Sequence, residues 1–179
     1  MYNTIPMIDM NKAGETICAL RVQRGLSVRK LQAKLGFATP QAIYKWQQGL
    51  TLPSVDNLVA LSEILGVSMG EILGVDTPSA AKILPFRAPA AVRAVGGYNP
   101  LPIINMVKTG ENICALRMSK GLSVRKLQAL LGFATPQAIY KWQQGITLPS
   151  IDNLVALSVL FEVPMECILV VDMPLVRAS

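Results

Sequence analysis

The stretch SVRKLQAKLGFATPQAIYKWQQG, residues 27–49, decides how this chain folds. It returns ninety-six residues later as SVRKLQALLGFATPQAIYKWQQG, residues 123–145, and the two stretches differ only where Lys34 becomes Leu130. Every other part of the chain either supports one of these stretches or lies between them.

The repeat extends beyond this stretch. Residues 14–76 and 110–172 are identical at 48 of 63 positions. A period of 96 residues is too long for a solenoid repeat and indicates duplication of a whole domain. We therefore predict a first domain over 1–76, an Ala- and Pro-rich linker over 77–97, a second domain over 98–172 and a tail over 173–179.

The first half of the repeated stretch has the pattern of a short helix. Ser27 is a good N-cap, because its hydroxyl can accept a hydrogen bond from a free amide of the first turn. Leu31 and Leu35 follow at helical spacing, and Gly36 ends the helix where a positive φ costs little.

The second half predicts another short helix after a tight turn. Thr39 is the expected N-cap, Pro40 the first helical residue, where proline loses no hydrogen bond, and Gly49 the end. Two opposite stripes follow the helical period. One has an apolar centre and consists of Thr39, Ala42, Ile43 and Trp46. The other is polar in both copies and consists of Gln41, Tyr44, Lys45 and Gln48, then Gln137, Tyr140, Lys141 and Gln144.

The polar stripe carries the side chains that reading DNA requires. A glutamine amide can form two hydrogen bonds with adenine, and a lysine can reach guanine or a phosphate. The stripe contains no acidic residue. The alternative interpretation is a solvated helix face that happens to lack acids.

The repeated stretch and the residues after it resemble a known family. Residues 26–49, followed by LPSVDNLVALSEILGVSMGEIL, combine a Leu-Gly turn, an Ile-x-x-Trp helix, a Pro-Ser cap and a second Leu-Gly turn. This combination is similar to the lambda-repressor-like helix-turn-helix family of XRE/Cro type. The resemblance covers about residues 12–75 and 108–171. It implies an all-α fold with five short helices per domain and the third helix in the major groove of DNA.

The resemblance also implies which residues meet DNA. By position, the groove-facing residues are Thr39, Gln41, Ala42, Tyr44 and Lys45, and in the second copy Thr135, Gln137, Ala138, Tyr140 and Lys141. We expect Gln41 and Gln137 to read bases. Phosphates would be held by Arg29, Lys30, Arg125 and Lys126, together with the helix N-termini at Thr39 and Thr135.

The implied function is sequence-specific binding of double-stranded DNA, as a prokaryotic or phage transcriptional regulator. Ordinary family members dimerise to read two half-sites. This chain carries both copies itself and would act as a single-chain pseudo-dimer. Pairing of the domains within or between chains, and a protein effector, are both compatible with the sequence.

The sequence departs from the family pattern at three places. Val28 and Val124 replace a glutamine that usually anchors a phosphate, Gln47 and Gln48 replace Glu-Arg, and the turn over residues 36–39 is one residue longer. The missing glutamine and the high apolar content leave open a second function. In it, the helix-turn-helix module binds another regulator protein instead of DNA.

Charge predicts a polarity within each copy. The chain has 17 Lys and Arg against 11 Asp and Glu, a formal charge of +6. Residues 14–49 carry six cations and one acid, whereas residues 50–75 carry three acids and no cation. The second copy repeats this arrangement. We expect a basic end that suits phosphates and an acidic end that faces away from them.

Cysteine and histidine usage argues against an enzyme or a metal site. The chain has three cysteines, no Cys-x-x-Cys pattern and no histidine, so it offers neither zinc ligands nor a His base. We expect Cys18, Cys114 and Cys167 to be reduced, partly buried thiols, and we expect no cofactor. No run approaches the ~18 apolar residues of a membrane helix, and the first residues lack a signal-peptide pattern. We therefore expect a cytoplasmic protein with no membrane partner.

Three further helices are predicted in each copy. The first should span Asn11–Arg24, the fourth should follow the N-cap Ser54, and the fifth should follow Ser68. Gly66 should end the fourth helix. The second copy has Glu162 there, so we expect that turn to differ.

Two features leave alternatives open. Met69 and Met165, in the fifth helix of each copy, fit either a domain core or an interface between domains. The arms Thr4–Met10 and Pro100–Met106 are apolar but contain proline. Each arm is therefore either coil or an edge strand that pairs with residues 168–171.

Overall fold

The computed structural model describes residues 6–78 and 101–172. Within these ranges the chain has five helices in each copy and one two-stranded sheet in the second copy. The predicted all-α class, with two tandem helical domains, is confirmed. Most of the predicted linker over 77–97 and the whole tail over 173–179 lie outside the described residues.

The helices form two compact units, one containing Met7–Asp76 and the other containing Ile104–Asp172. The first unit holds α1 (Met10–Gln23), α2 (Val28–Lys34), α3 (Gln41–Gln47), α4 (Val55–Leu65) and α5 (Met69–Leu73). In the second copy, strand β1 (Ile103–Ile104) precedes α6 (Met106–Ser119), α7 (Val124–Leu130), α8 (Gln137–Gln143), α9 (Ile151–Phe161) and α10 (Met165–Ile168), and β2 (Val171–Asp172) follows.

Side-chain oxygens start the helices largely as the sequence predicts. The Oγ atoms of Ser27, Ser54 and Ser68 each accept a hydrogen bond from the backbone N–H three residues ahead. Helix α1 begins one residue earlier than predicted, because Asp9 Oδ1 accepts from two backbone N–H groups of its first turn. It also ends one residue earlier, with Arg24 as its C-cap.

Each unit has its own apolar core. In the first unit the fully buried side chains include Ile17, Leu31, Ile43, Leu58, Leu61, Leu65, Met69, Ile72 and Leu73. Met69 is buried in α5, which packs on α1 and α4 of its own unit, and Met165 is buried in α10, which packs on α6 and α9. Both methionines therefore belong to domain cores.

A glycine lets α1 pack closely against the end of α3. A Cβ atom at Gly14 would lie 2.9 Å from the carbonyl oxygen of Gln47 and closer still to that of Trp46. Gly110 occupies the same place against the end of α8. The position of each third helix on its unit thus depends on the missing side chain.

The second copy pairs its arm with its last residues. Strand β1 pairs with β2, and Asn105 N donates to Val170 O at 2.8 Å. This confirms the edge strand for the second arm, but the predicted partner over 168–171 is only partly right, because Ile168 ends α10 and the partner strand is Val171–Asp172. In the first copy, residues 6–9 have no regular structure and Met10 begins α1, so coil is the outcome for residues 6–9 of that arm, while residues 4–5 lie outside the described residues.

The turns after α4 and α9 keep the same left-handed conformation, so the expectation that they differ is wrong. Gly66 has φ 66° and Glu162 has φ 55°. In both turns a buried serine, Ser62 or Ser158, donates its hydroxyl hydrogen to the backbone carbonyl five residues ahead. This shared bond fixes the turn whichever residue ends the helix.

All three cysteines are free. Cys18 and Cys114 are half-buried as predicted, but Cys167 is exposed. It occupies the position of the exposed Glu71 of the first copy, on the solvent side of the last helix. Within the described residues, no helix is both long enough and apolar enough to cross a bilayer.

Candidate nucleic-acid interface

The turn between α2 and α3 is held by a glutamine side chain. Gln32 Nε2 donates to the carbonyl oxygens of Phe37 and Ala38, at 3.0 and 3.1 Å. Gln128 makes the same pair of bonds, with the same distances, in the second copy. Sequence reasoning missed this residue. The available signal was a polar side chain in a short helix, five residues before Phe37. The sequence alone assigns no hydrogen-bond donor to the carbonyl groups of the turn that contains Phe37.

Helix α3 begins after Pro40, and the prediction that Thr39 caps it is wrong. The first backbone bond runs from Tyr44 N to Pro40 O at 3.2 Å, so Pro40 itself takes the N-cap position and no side chain caps the helix. The second copy starts α8 after Pro136 in the same way, which also removes Thr135 as a cap. The reason is the long turn, which places the threonine one residue too early.

The apolar side of α3 anchors it to the unit, as predicted. Ile43 is 0% exposed and Trp46 is 4% exposed. The ring of Phe37, from the preceding turn, meets the Trp46 ring edge-on with the centroids 5.7 Å apart. Phe133 and Trp142 repeat this contact in the second copy. The turn and the helix therefore form one packed element.

The opposite side of α3 is an exposed polar face, and α8 repeats it. Tyr44 is 48% exposed and Tyr140 is 45% exposed. The other members are also exposed, namely Gln41, Lys45, Gln48, Gln137, Lys141 and Gln144. Thr39 and Thr135 are exposed beside this face, whereas Ala42 and Ala138 are half-buried at its border. The structure thus gathers the predicted groove-facing residues of each copy on one surface; their contacts with DNA stay a prediction.

The residues predicted to hold phosphates lie in the first turn of α2 and α7. Arg29, Lys30, Arg125 and Lys126 are exposed there. Val28, which stands where the family usually has glutamine, is half-buried. Arg21 is one of the six cations within residues 14–49. It is not free to bind a phosphate, because its guanidinium donates a hydrogen bond to Leu26 O at 2.7 Å.

A depression of about 580 Å³ opens beside α3. Its lining residues are Gly36, Phe37, Ala38, Thr39, Gln41, Ala42, Lys45, Trp46 and Thr51. They come from the turn before α3, from α3 itself and from the loop after it. The depression therefore adjoins the polar face through two residues that belong to both, Gln41 and Lys45.

Residues 19–72 and 115–166 each match the family model described as helix-turn-helix. The two matches begin 96 residues apart and together cover more than half of the chain. The chain belongs to the XRE/lambda-repressor-like helix-turn-helix family. No curated protein and no solved structure matches it.

Members of this helix-turn-helix family are DNA-binding regulators, and DNA is their partner in general. Each match includes the capped α2 or α7, the glutamine-held turn and the exposed face of α3 or α8. Family membership therefore supplies the class of partner, and the geometry shows which side chains are exposed on α3 and α8.

Proposed function

We propose that this helix-turn-helix chain binds a specific sequence in double-stranded DNA, with α3 and α8 each in a major groove. The observation that carries the proposal is the polar face of these two helices, which is exposed, free of acids and identical in both copies. Gln41 and Gln137 would read adenine, while Lys45 and Lys141 would reach guanine or a phosphate.

The phosphate contacts would come mainly from α2 and α7. Arg29 and Lys30, with Arg125 and Lys126, lie next to helix starts whose serine caps order the backbone. If each copy neutralises about three phosphates, log K should fall against log salt with a slope of about −5. Binding measured between low and moderate salt checks this value, and a flat dependence would contradict it.

We also propose that the two copies act as a single-chain pseudo-dimer, with domains over 1–76 and 98–172. Identical reading faces imply two copies of one half-site, and the grooves they enter lie about 34 Å apart. A segment of 21 residues, the length of the linker over 77–97, reaches at most about 70 Å. The tether therefore allows both copies to bind one site, as a prokaryotic or phage transcriptional regulator.

Selection of bound sequences from random duplexes tests the proposal. The full chain should enrich duplexes that carry two copies of one short motif, with one chain bound per duplex. A matched control replaces the four proposed base-contacting residues together, through Gln41→Ala, Lys45→Ala, Gln137→Ala and Lys141→Ala, and should enrich no motif. Enrichment of nothing by the unchanged protein would contradict specific DNA binding. Two chains on one duplex would contradict the pseudo-dimer.

A second candidate function is binding of another regulator protein. The observation that favours it is an exposed apolar residue three positions after the end of each third helix, Leu50 at 63% and Ile146 at 58%. In this case a protein partner would cover the polar faces of α3 and α8, and the selection experiment would give no motif.

A further inference from the structure

We infer that the depression beside α3 receives the 5-methyl group of a thymine in its half-site, and that the same nine residues beside α8 do so in the other half-site. This inference rests on the proposed function and names a chemical group that the surface selects. It adds a second element of specificity to the hydrogen bonds expected of Gln41 and Gln137.

The lining of the depression is divided between an apolar part and a polar rim. Phe37, Ala42 and Trp46 supply ring and methyl surface and are each half-buried or buried. Gln41 and Lys45 supply polar groups at the edge that the depression shares with the polar face of α3. A base edge that enters would therefore meet apolar surface beside hydrogen-bonding groups.

The apolar part is already held by contacts within the protein before any ligand arrives. Gln32 Nε2 binds the carbonyls of Phe37 and Ala38, and the Phe37 ring rests edge-on against Trp46. Because the turn is already ordered, occupying the depression costs little conformational entropy.

The occupant follows from what the major groove offers. Among the groups that base pairs present there, the thymine methyl is the apolar one; the others donate or accept hydrogen bonds. The depression is open and, at about 580 Å³, larger than one methyl group, so the methyl would enter together with the edge of its base. Adenine beside Gln41 and thymine against Ala42 would together specify A·T-containing steps.

The depression includes a turn that departs from the usual family pattern. One of its walls is the turn over residues 36–39, which is one residue longer than the usual family pattern. All nine lining positions have the same residue in the second copy, from Gly132 to Thr147. Both half-sites should therefore show the same methyl dependence.

Replacing thymine by deoxyuridine tests the inference, because it removes the methyl and nothing else. Each thymine of the best selected duplex is replaced in turn, and binding of the unchanged full chain is measured. One thymine per half-site should weaken binding about three- to tenfold when it becomes uracil. The other thymines should change binding less than about twofold.

A variant that fills the depression provides the matched control. Ala42→Val adds apolar bulk at the border of the depression, and Ala138→Val makes the matched change in the second copy, so the double variant should abolish the difference between thymine and uracil at the sensitive positions. If this variant fails to fold, the deoxyuridine series still decides, since it uses the unchanged protein.

The outcomes separate the two proposals. Sequence-specific binding with no uracil-sensitive position, or half-sites that contain no thymine, would overturn this inference and leave the proposed function intact. Failure to bind any duplex specifically would overturn both.

Discussion

The two copies have the same polar face on α3 and α8 but differ at the closing edge, where the start of the first helix lies beside the last residues of the domain. The polar faces of α3 and α8 have the same residues, the same exposure and the same glutamine-held turn. At the closing edge the second copy has Asn105, Thr109 and Asn112 where the first has Asp9, Ala13 and Thr16. Only the second copy builds a sheet there within the residues described.

Hydrogen bonds explain this difference. Thr109 Oγ1 accepts from Val170 N at 2.9 Å, and Asn112 Nδ2 donates to the carbonyl oxygens of Cys167 and Ile168 at 2.7 and 2.9 Å. In the first copy, Thr16 instead donates to the carbonyl of Lys12 in its own helix. The end of the second copy is therefore tied to α6 by side chains that the first copy lacks.

One amide group makes the clearest contrast. Asn105 caps α6 through Oδ1, and its Nδ2 also donates to Asp172 Oδ2 at 2.8 Å. Asp9 caps α1 equally well, but a carboxylate has no hydrogen to give to Asp76, the counterpart of Asp172. The same fold thus tolerates an open or a closed edge without any change in the reading surface.

The largest expected effect comes from disrupting a contact that both copies share, the close packing of the first helix against the end of the third helix. Gly14→Ala places a Cβ atom against the carbonyls that end α3, where only the backbone can yield, and should destabilise the first copy by about 3 kcal/mol. Gly110→Ala should cost about the same in the second copy. Thermal or urea unfolding measures both.

The control for this pair is Ala19→Ser on the exposed side of α1, which should cost about 0.5 kcal/mol. A Gly14→Ala protein as stable as the control would show that α1 and α3 are not packed this closely.

The second prediction exchanges the residues that cap the first helix of each copy at the closing edge. Asn105→Asp keeps the helix cap but replaces the amide donor by a carboxylate facing Asp172, so the second copy should lose about 1–2 kcal/mol at neutral pH. The matched change in the first copy, Asp9→Asn, should alter stability by less than about 0.5 kcal/mol, since either residue caps the helix. Equal effects of the two changes would mean that the bond from Asn105 to Asp172 does not hold the edge.

The smallest expected effect concerns the end of α9. Glu162 holds a left-handed conformation that favours glycine, and its carboxylate binds Lys120 Nζ. Glu162→Gly should raise the thermal midpoint by roughly 2–4 °C, because it relieves the backbone. Glu162→Gln keeps the backbone cost and loses the charge, so it should lower the midpoint at neutral pH.

The pH dependence of this pair has a definite sign. The hydrogen bond from Lys120 lowers the pKa of Glu162 in the folded state, and the charge of Lys120 adds to it. The pair therefore stabilises the fold above the unfolded-state pKa, and this stabilisation is lost as the pH falls through the folded-state pKa. The gap in thermal midpoint between the unchanged protein and Glu162→Gln should close at acidic pH. A constant gap would rule out the ion pair as its cause.

The sequence predicted features that depend on neighbouring residues. The serine caps, the glycines that end helices and the buried stripe of Ile43 and Trp46 follow from local spacing, and all are confirmed. Thr39 failed as a cap because the turn before α3 is one residue longer than usual, which places the threonine one residue too early. That turn is held by Gln32, which lies in the helix before it.

The bonds that close the second copy were beyond sequence reasoning. Asn105 and Asp172 are far apart in the chain, and no local pattern pairs them. The helix-turn-helix face was identifiable because its residues recur at helical spacing. Which of them contact bases depends on a DNA complex and stays a prediction.

The most direct test of the account compares Gln41→Ala with Gln137→Ala on the selected duplex and on its single-base variants. Each change should cost about 1–3 kcal/mol of binding and relax the preference at one base position, in one half-site for Gln41 and in the other for Gln137. Arg29→Ala, as a control, should weaken binding to all the duplexes alike. If either glutamine variant weakened every duplex equally, or left binding unchanged, the assignment of the polar faces of α3 and α8 to base reading would be contradicted.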